Sequence, residues 1–88
     1  MDQYVVYHAD NPTFDGKKAA SYTLVALVLT TSLGEAFRLT NHIDSPWWDN
    51  PEVDRWENKS YRSTSVGDII EVQGEQWLCK PAGWEKVL

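Results

Sequence analysis

The sequence predicts an α+β domain, a mainly antiparallel sheet of four to five strands with one principal amphipathic helix packed on it. Three observations predict it. The turn-prone run Tyr61 to Gly67 meets Asp68 and releases the β-branched strand Ile69-Ile70-Glu71-Val72, which a Gln73-Gly74-Glu75 turn folds back towards Trp77. The apolar run Tyr22 to Thr31 is rich in Val and Thr. Directly after it, Ser32-Leu33-Gly34-Glu35 has the spacing of a helix-capping box.

In chain order, Tyr4–His8 is a first strand of β-formers, broken at Asp10-Asn11-Pro12. Residues 13 to 18 read as loop. Tyr22–Thr30 shows neither clean alternation nor a polar face, so periodicity alone does not separate a buried helix from a strand. Its composition and the helix start just behind it favour a strand covered on both faces. The capping box opens a helix over about residues 32–42, with Leu33, Ala36, Phe37 and Thr40 at helical spacing. Residues 43 to 60 hold no obvious element beyond a short helical turn after Pro51, in which Val53 and Trp56 share a face. Asp68–Val72, Gln76–Lys80 and a short Trp84–Val87 complete the sheet.

Residues 1–88 are read as one domain, since chains divide only well beyond this length. Five Trp, four Tyr and two Phe supply area for a small core. Thirteen acidic against eight basic residues give a net charge of −5, which disfavours nucleic acid as a partner. The single cysteine, Cys79, excludes an internal disulfide and a multi-cysteine zinc site. The first residues lack a signal-peptide pattern, and Leu24–Leu29 is too short to span a bilayer. The expectation is a cytoplasmic domain with no membrane partner.

The run Arg62-Ser63-Thr64-Ser65-Val66-Gly67-Asp68 resembles the RS-x-SV-[GS]-D-[VI] signature of YodL-like domains, small proteins and modules of phages, plasmids and bacterial genomes. In that family the signature precedes a strand, a turn, a further strand and a final Gly-aromatic pair, matched here by Ile69 to Val72, Gly74, Trp77 to Cys79 and Gly83-Trp84. Tyr4 and Tyr7 of the first strand and the Ala36-Phe37 pair of the helix also fit. The resemblance covers most of the chain loosely and residues 62 to 68 tightly. It implies a mobile-element setting and no particular activity.

Four groups of residues carry candidate chemistry. Arg62, Ser63, Ser65 and Asp68 form either an anion-holding loop or a hydrogen-bonded turn that only shapes the fold. Trp47, Trp48 and Trp56, with Asp49 among them, are either anchors for a protein partner or a cap folded back onto a small core. Two adjacent Trp do not easily both point inward, so at least one is expected at the surface. His8 with Asp10 and His42 with Asp44 repeat a His-x-Asp pattern that would hold a metal only if the two pairs met. Cys79, or Ser63 or Ser65 with His and Asp, would be a nucleophile, but no nucleophile elbow, phosphate loop, HExxH or CxxC accompanies them.

The leading expectation is a non-enzymatic, cofactor-free module that binds a host protein or another copy of itself through Trp47, Trp48 and Trp56. A PUA-like nucleic-acid-binding domain is the alternative, with Arg55, Lys59, Arg62 and Lys80 on phosphate. A metal- or thiol-dependent enzyme comes third. Exposed sheet edges leave homodimerisation open.

Overall fold

A computed structural model describes residues 1–88 as one six-stranded antiparallel sheet with a single α-helix. The strands are β1 (Asp2–Ala9), β2 (Tyr22–Thr30), β3 (Val53–Arg55), β4 (Ile69–Val72), β5 (Glu75–Cys79) and β6 (Trp84–Lys86), and the helix is α1 (Leu33–Leu39). Their order across the sheet is β3-β2-β1-β4-β5-β6, so the long β1 and β2 lie inside and β3 and β6 form the edges. The α+β class stands, with one strand more than the sequence suggested. No helix is long and apolar enough to cross a membrane.

The added strand is β3. The segment after Pro51 is extended rather than helical, because Leu29 N–H donates to Glu52 O (3.0 Å) and Trp56 N–H to Val25 O (2.8 Å). Those bonds satisfy the free edge of β2, and they place Val53 against the core. The tryptophan pair ahead of it forms a 3₁₀ turn, Trp47–Asp49.

Helix α1 begins as its sequence dictates and ends sooner. The Ser32 hydroxyl accepts from Glu35 N–H at 3.1 Å. The second half of the capping box is absent, because the Glu35 carboxylate turns instead to Arg38 at 2.7 Å. At the other end the Thr40 hydroxyl donates to Ala36 O (2.8 Å), and Asn41 Nδ2 reaches across to Thr64 O (2.6 Å). Tertiary bonds thus close the helix at Leu39 rather than near residue 42.

The two faces of the sheet differ. On one, Tyr4, Val6, Val25, Ala26, Val28 and Ile70 pack with Ala36 and Leu39 of α1 and with Trp47. The register of β1 on β2 jumps between Val6, opposite Ala26, and Tyr7, opposite Leu24. Val25 is therefore the extra residue of a β-bulge, and it points into the core beside Ala26. On the other face stand Val5, Tyr7, Leu24, Leu27 and Leu29. Strand β2 is thus covered on one face only, contrary to the expectation of two, because one helix is all that the chain supplies for cover. The loop between β1 and β2 folds over the β4–β5 end of this second face, above the buried Ile69 and Leu78. Lys80 Nζ donates to Gly16 O (2.9 Å) and the Tyr22 hydroxyl to Gly67 O (2.8 Å), which tie it down.

Candidate functional site

The 62–68 segment is a buried polar junction. Asp68, 1 % exposed, accepts from Ala9 N–H (2.8 Å) and Ser65 N–H (2.8 Å), and from both terminal nitrogens of Arg62 (2.7 and 2.8 Å). The same guanidinium donates to Ala9 O (3.1 Å), Ser63 O (3.0 Å) and Ser65 Oγ (3.1 Å). Ser63 Oγ donates to His42 O at 3.0 Å, and the buried Thr64 hydroxyl lies 2.9 Å from His8 Nε2. The junction joins the end of β1, the approach to β4 and the residues after α1. Gly67 sits at φ +96°, a conformation that favours glycine, and a Cβ there would collide with the Thr13 hydroxyl.

Of the two readings of Arg62, Ser63, Ser65 and Asp68, this geometry is that of the hydrogen-bonded turn that shapes the fold, and not of the anion-holding loop. The donors that would face an anion, Arg62 and Ser65 N–H, already face the Asp68 carboxylate. His8 lies beside the junction, 4.0 Å from Asp68, with its ring edge-on to Trp47 and Tyr61. Burial holds its imidazole down at about 4, against the opposing pull of Asp68. Neither cleft in the surface is lined by His8, Thr64 or Asp68.

The tryptophans part company. Trp47 is 2 % exposed, donates Nε1–H to Arg62 O at 2.9 Å and stacks on Tyr61 with centroids 6.2 Å apart. It is core, which corrects its assignment as a docking residue: the 3₁₀ turn places it in the cluster of Val6, Val28 and Ile70 of the sheet with Ala36 and Leu39 of α1. Trp48 meets it edge-to-face at 5.1 Å and is half-buried beneath the Arg55 guanidinium, 4.5 Å from the ring centre. Asp49 is exposed. Trp56 is 50 % exposed at the end of β3, so of the three it presents the most surface to solvent.

The remaining candidates are also placed. His42 Nε2 lies 2.7 Å from Asn50 Nδ2, and His8 faces Thr64, so the two His-x-Asp pairs do not meet. No three His, Cys, Asp or Glu side chains gather with the geometry of a metal site. Cys79 is buried, and burial pushes its thiol up to about 11, the opposite of an activated nucleophile. It lines a cleft of about 260 Å³ with Phe37 and Trp84. Of the four cations considered for phosphate, only Arg62 is held by a buried partner, and the contacts of Arg55, Lys59 and Lys80 are at the surface. Arg55 holds Lys59 O and Asn58, Arg62 holds Asp68, Lys59 pairs with Glu57 and Lys80 with Glu85.

The uncovered half of the sheet is the feature that sequence reasoning missed. In register across it lie Gln3 with Leu29, Val5 with Leu27 and Glu71, and Tyr7 with Leu24 and Ile69. Leu29 is 52 % exposed, and Val5, Tyr7, Leu24 and Leu27 are half-buried. Exposed antiparallel faces ordinarily alternate to polar residues, and here three leucines and a valine stand instead. Asp54 is paired with Leu27 at the β3 border, and Glu71, bonded by Gln76 at 2.9 Å, at the β4 border. Burial, and then Glu71, raise the Tyr7 phenol above its usual range. Tyr7 also forms one wall of a cleft of about 300 Å³ with Lys18, Tyr22, Ile69 and Gln76.

Searches of family models, curated proteins and solved structures find no match to this chain.

Proposed function

We propose that the protein is a small, acidic, non-enzymatic binding module that docks another protein on the open face of its sheet. One observation carries this reading: Val5, Leu24, Leu27 and Leu29 form a contiguous apolar strip on the face that neither α1 nor the β1–β2 loop covers. Such a strip costs solubility unless a partner removes it from water, at roughly 25 cal/mol per Å² of apolar surface. Trp56, just past β3, would serve as a rim contact rather than as the anchor, whereas Trp48 packs with Trp47 and Arg55 on the helix-covered face. The likeness of residues 62 to 68 to YodL-like domains fits an accessory protein of a phage or other mobile element acting on a host protein. In this reading the signature is there to hold the fold corner.

Affinity capture from a bacterial lysate, with the Leu27→Ser/Leu29→Ser variant beside Trp56→Ala, tests the proposal. The expected result is a protein retained by the parent chain and by Trp56→Ala, and lost with the double serine variant while that variant stays folded by circular dichroism. Retention by the double serine variant contradicts the docking face.

A further inference from the structure

Resting on that reading, we infer that the occupant of the open face is an amphipathic helix of a partner protein whose apolar stripe is flanked by lysine or arginine on both sides. The first ground is the strip's position in the sheet. It lies on β2 and β1, which are interior strands with β3 and β4 paired on either side. Their backbone groups are already bonded, so an extended peptide cannot add there by strand pairing and has only side chains to meet. The partner element must arrive with its own backbone hydrogen bonds closed, as a helix does.

The second ground is size. Two strands are roughly 5 Å apart, and Leu24 to Leu29 runs roughly 17 Å. That matches the apolar stripe of about three helical turns. The Tyr7 cleft, at the end of the strip, is large enough to take one bulky side chain of such a helix.

The third ground is charge. Asp54 and Glu52, whose carbonyl is bonded to Leu29 N–H, border the strip on one side. Glu71 borders it on the other, and no lysine or arginine among the residues of β1 to β4 faces this side. Lys18, from the β1–β2 loop, lines the Tyr7 cleft at the end of the strip. Two carboxylates on the β3 flank and one on the β4 flank select a basic rim and oppose a second copy of this chain, which would set carboxylate against carboxylate.

The test uses a synthetic amphipathic helix of about eighteen residues, with a leucine stripe between two rows of lysine, and its counterpart with glutamate in place of lysine. Each is titrated into the methyl-labelled protein and followed by nuclear magnetic resonance. The lysine helix is expected to shift the Val5, Leu24, Leu27 and Leu29 methyls, and the glutamate helix to leave them in place. Glu52→Lys/Asp54→Lys, at two exposed positions, should weaken the lysine helix by about tenfold, with the loss shrinking as salt is raised. Equal binding of both helices, shifts elsewhere on the molecule, or concentration-dependent self-association through the strip overturns the inference. The same charge variant in the lysate capture separates it from the reading beneath it. Capture that survives Leu27→Ser/Leu29→Ser removes the docking face altogether. Capture that is lost there but unaffected by Glu52→Lys/Asp54→Lys leaves the face standing and removes the basic helix.

Discussion

Arg62 and Asp68 meet end-on, Nη1 to Oδ2 at 2.7 Å and Nη2 to Oδ1 at 2.8 Å, with the carboxylate buried and the guanidinium bridging to Ala9 O on β1. This fork closes the corner from which β4 departs, and Asp68 O in turn accepts Cys79 N–H of β5 at 2.8 Å. A planar, two-pronged donor is required, which a point-charge ammonium does not supply. Arg62→Lys is therefore expected to cost about 1–3 kcal/mol in urea unfolding. Asp68→Ala, which strands Arg62 and the Ala9 and Ser65 amides, should cost about 3–5 kcal/mol. Near-parent stability for both variants would show that the corner is held by something other than this pair.

His8 makes stability depend on pH in a defined direction. Its imidazole titrates at about 4 in the fold, against an ordinary value near 6.5, because burial disfavours the charged ring. The unfolded chain therefore takes up the proton first. The contribution of neutral His8 is fully present above about pH 6.5 and is lost progressively as pH falls towards 4, amounting to roughly 3 kcal/mol at most. Urea midpoints measured across this window should fall for the parent chain, and the slope should flatten in His8→Gln, where no titrating ring remains.

The tryptophans give a third prediction, in which two substitutions of one kind diverge. Trp47→Ala removes a ring that packs on His8, Trp48 and Tyr61, and is expected to cost about 3–5 kcal/mol. Trp56→Ala should change stability by less than about 1 kcal/mol. Thermal unfolding of the two variants checks the difference, and iodide quenching should act on Trp56 and spare Trp47.

Legibility in the sequence followed locality. The Ser32 cap and the strands at Tyr4, Tyr22, Ile69, Gln76 and Trp84 were readable because hydroxyl spacing and β-branched runs act over a few residues. Strand β3 was not, since three residues ending in Asp54-Arg55 carry no period, and only pairing with β2 makes them extended. The open face was hidden by the bulge at Val25. With Val25 and Ala26 both turned inward, the outward set becomes Leu24, Leu27 and Leu29, and the period of two that would have exposed an amphipathic strand is broken. The 62–68 segment stood out in the sequence for a reason that sequence does not reveal. Its partners, Ala9 and His8, lie more than fifty residues away. The burial of Trp47 beside the half-buried Trp48 likewise depends on distant partners, the core cluster and Arg62 O, which no local pattern records.

The most direct measurement is photo-crosslinking in cells, with a photoreactive residue placed at position 29 in one variant and at position 56 in another. The docking account predicts a discrete adduct with a partner protein from position 29, lost when Leu27→Ser is introduced into the same chain. An adduct from position 56 alone, with none from position 29, would contradict it and move the interface to the tryptophan side of the molecule.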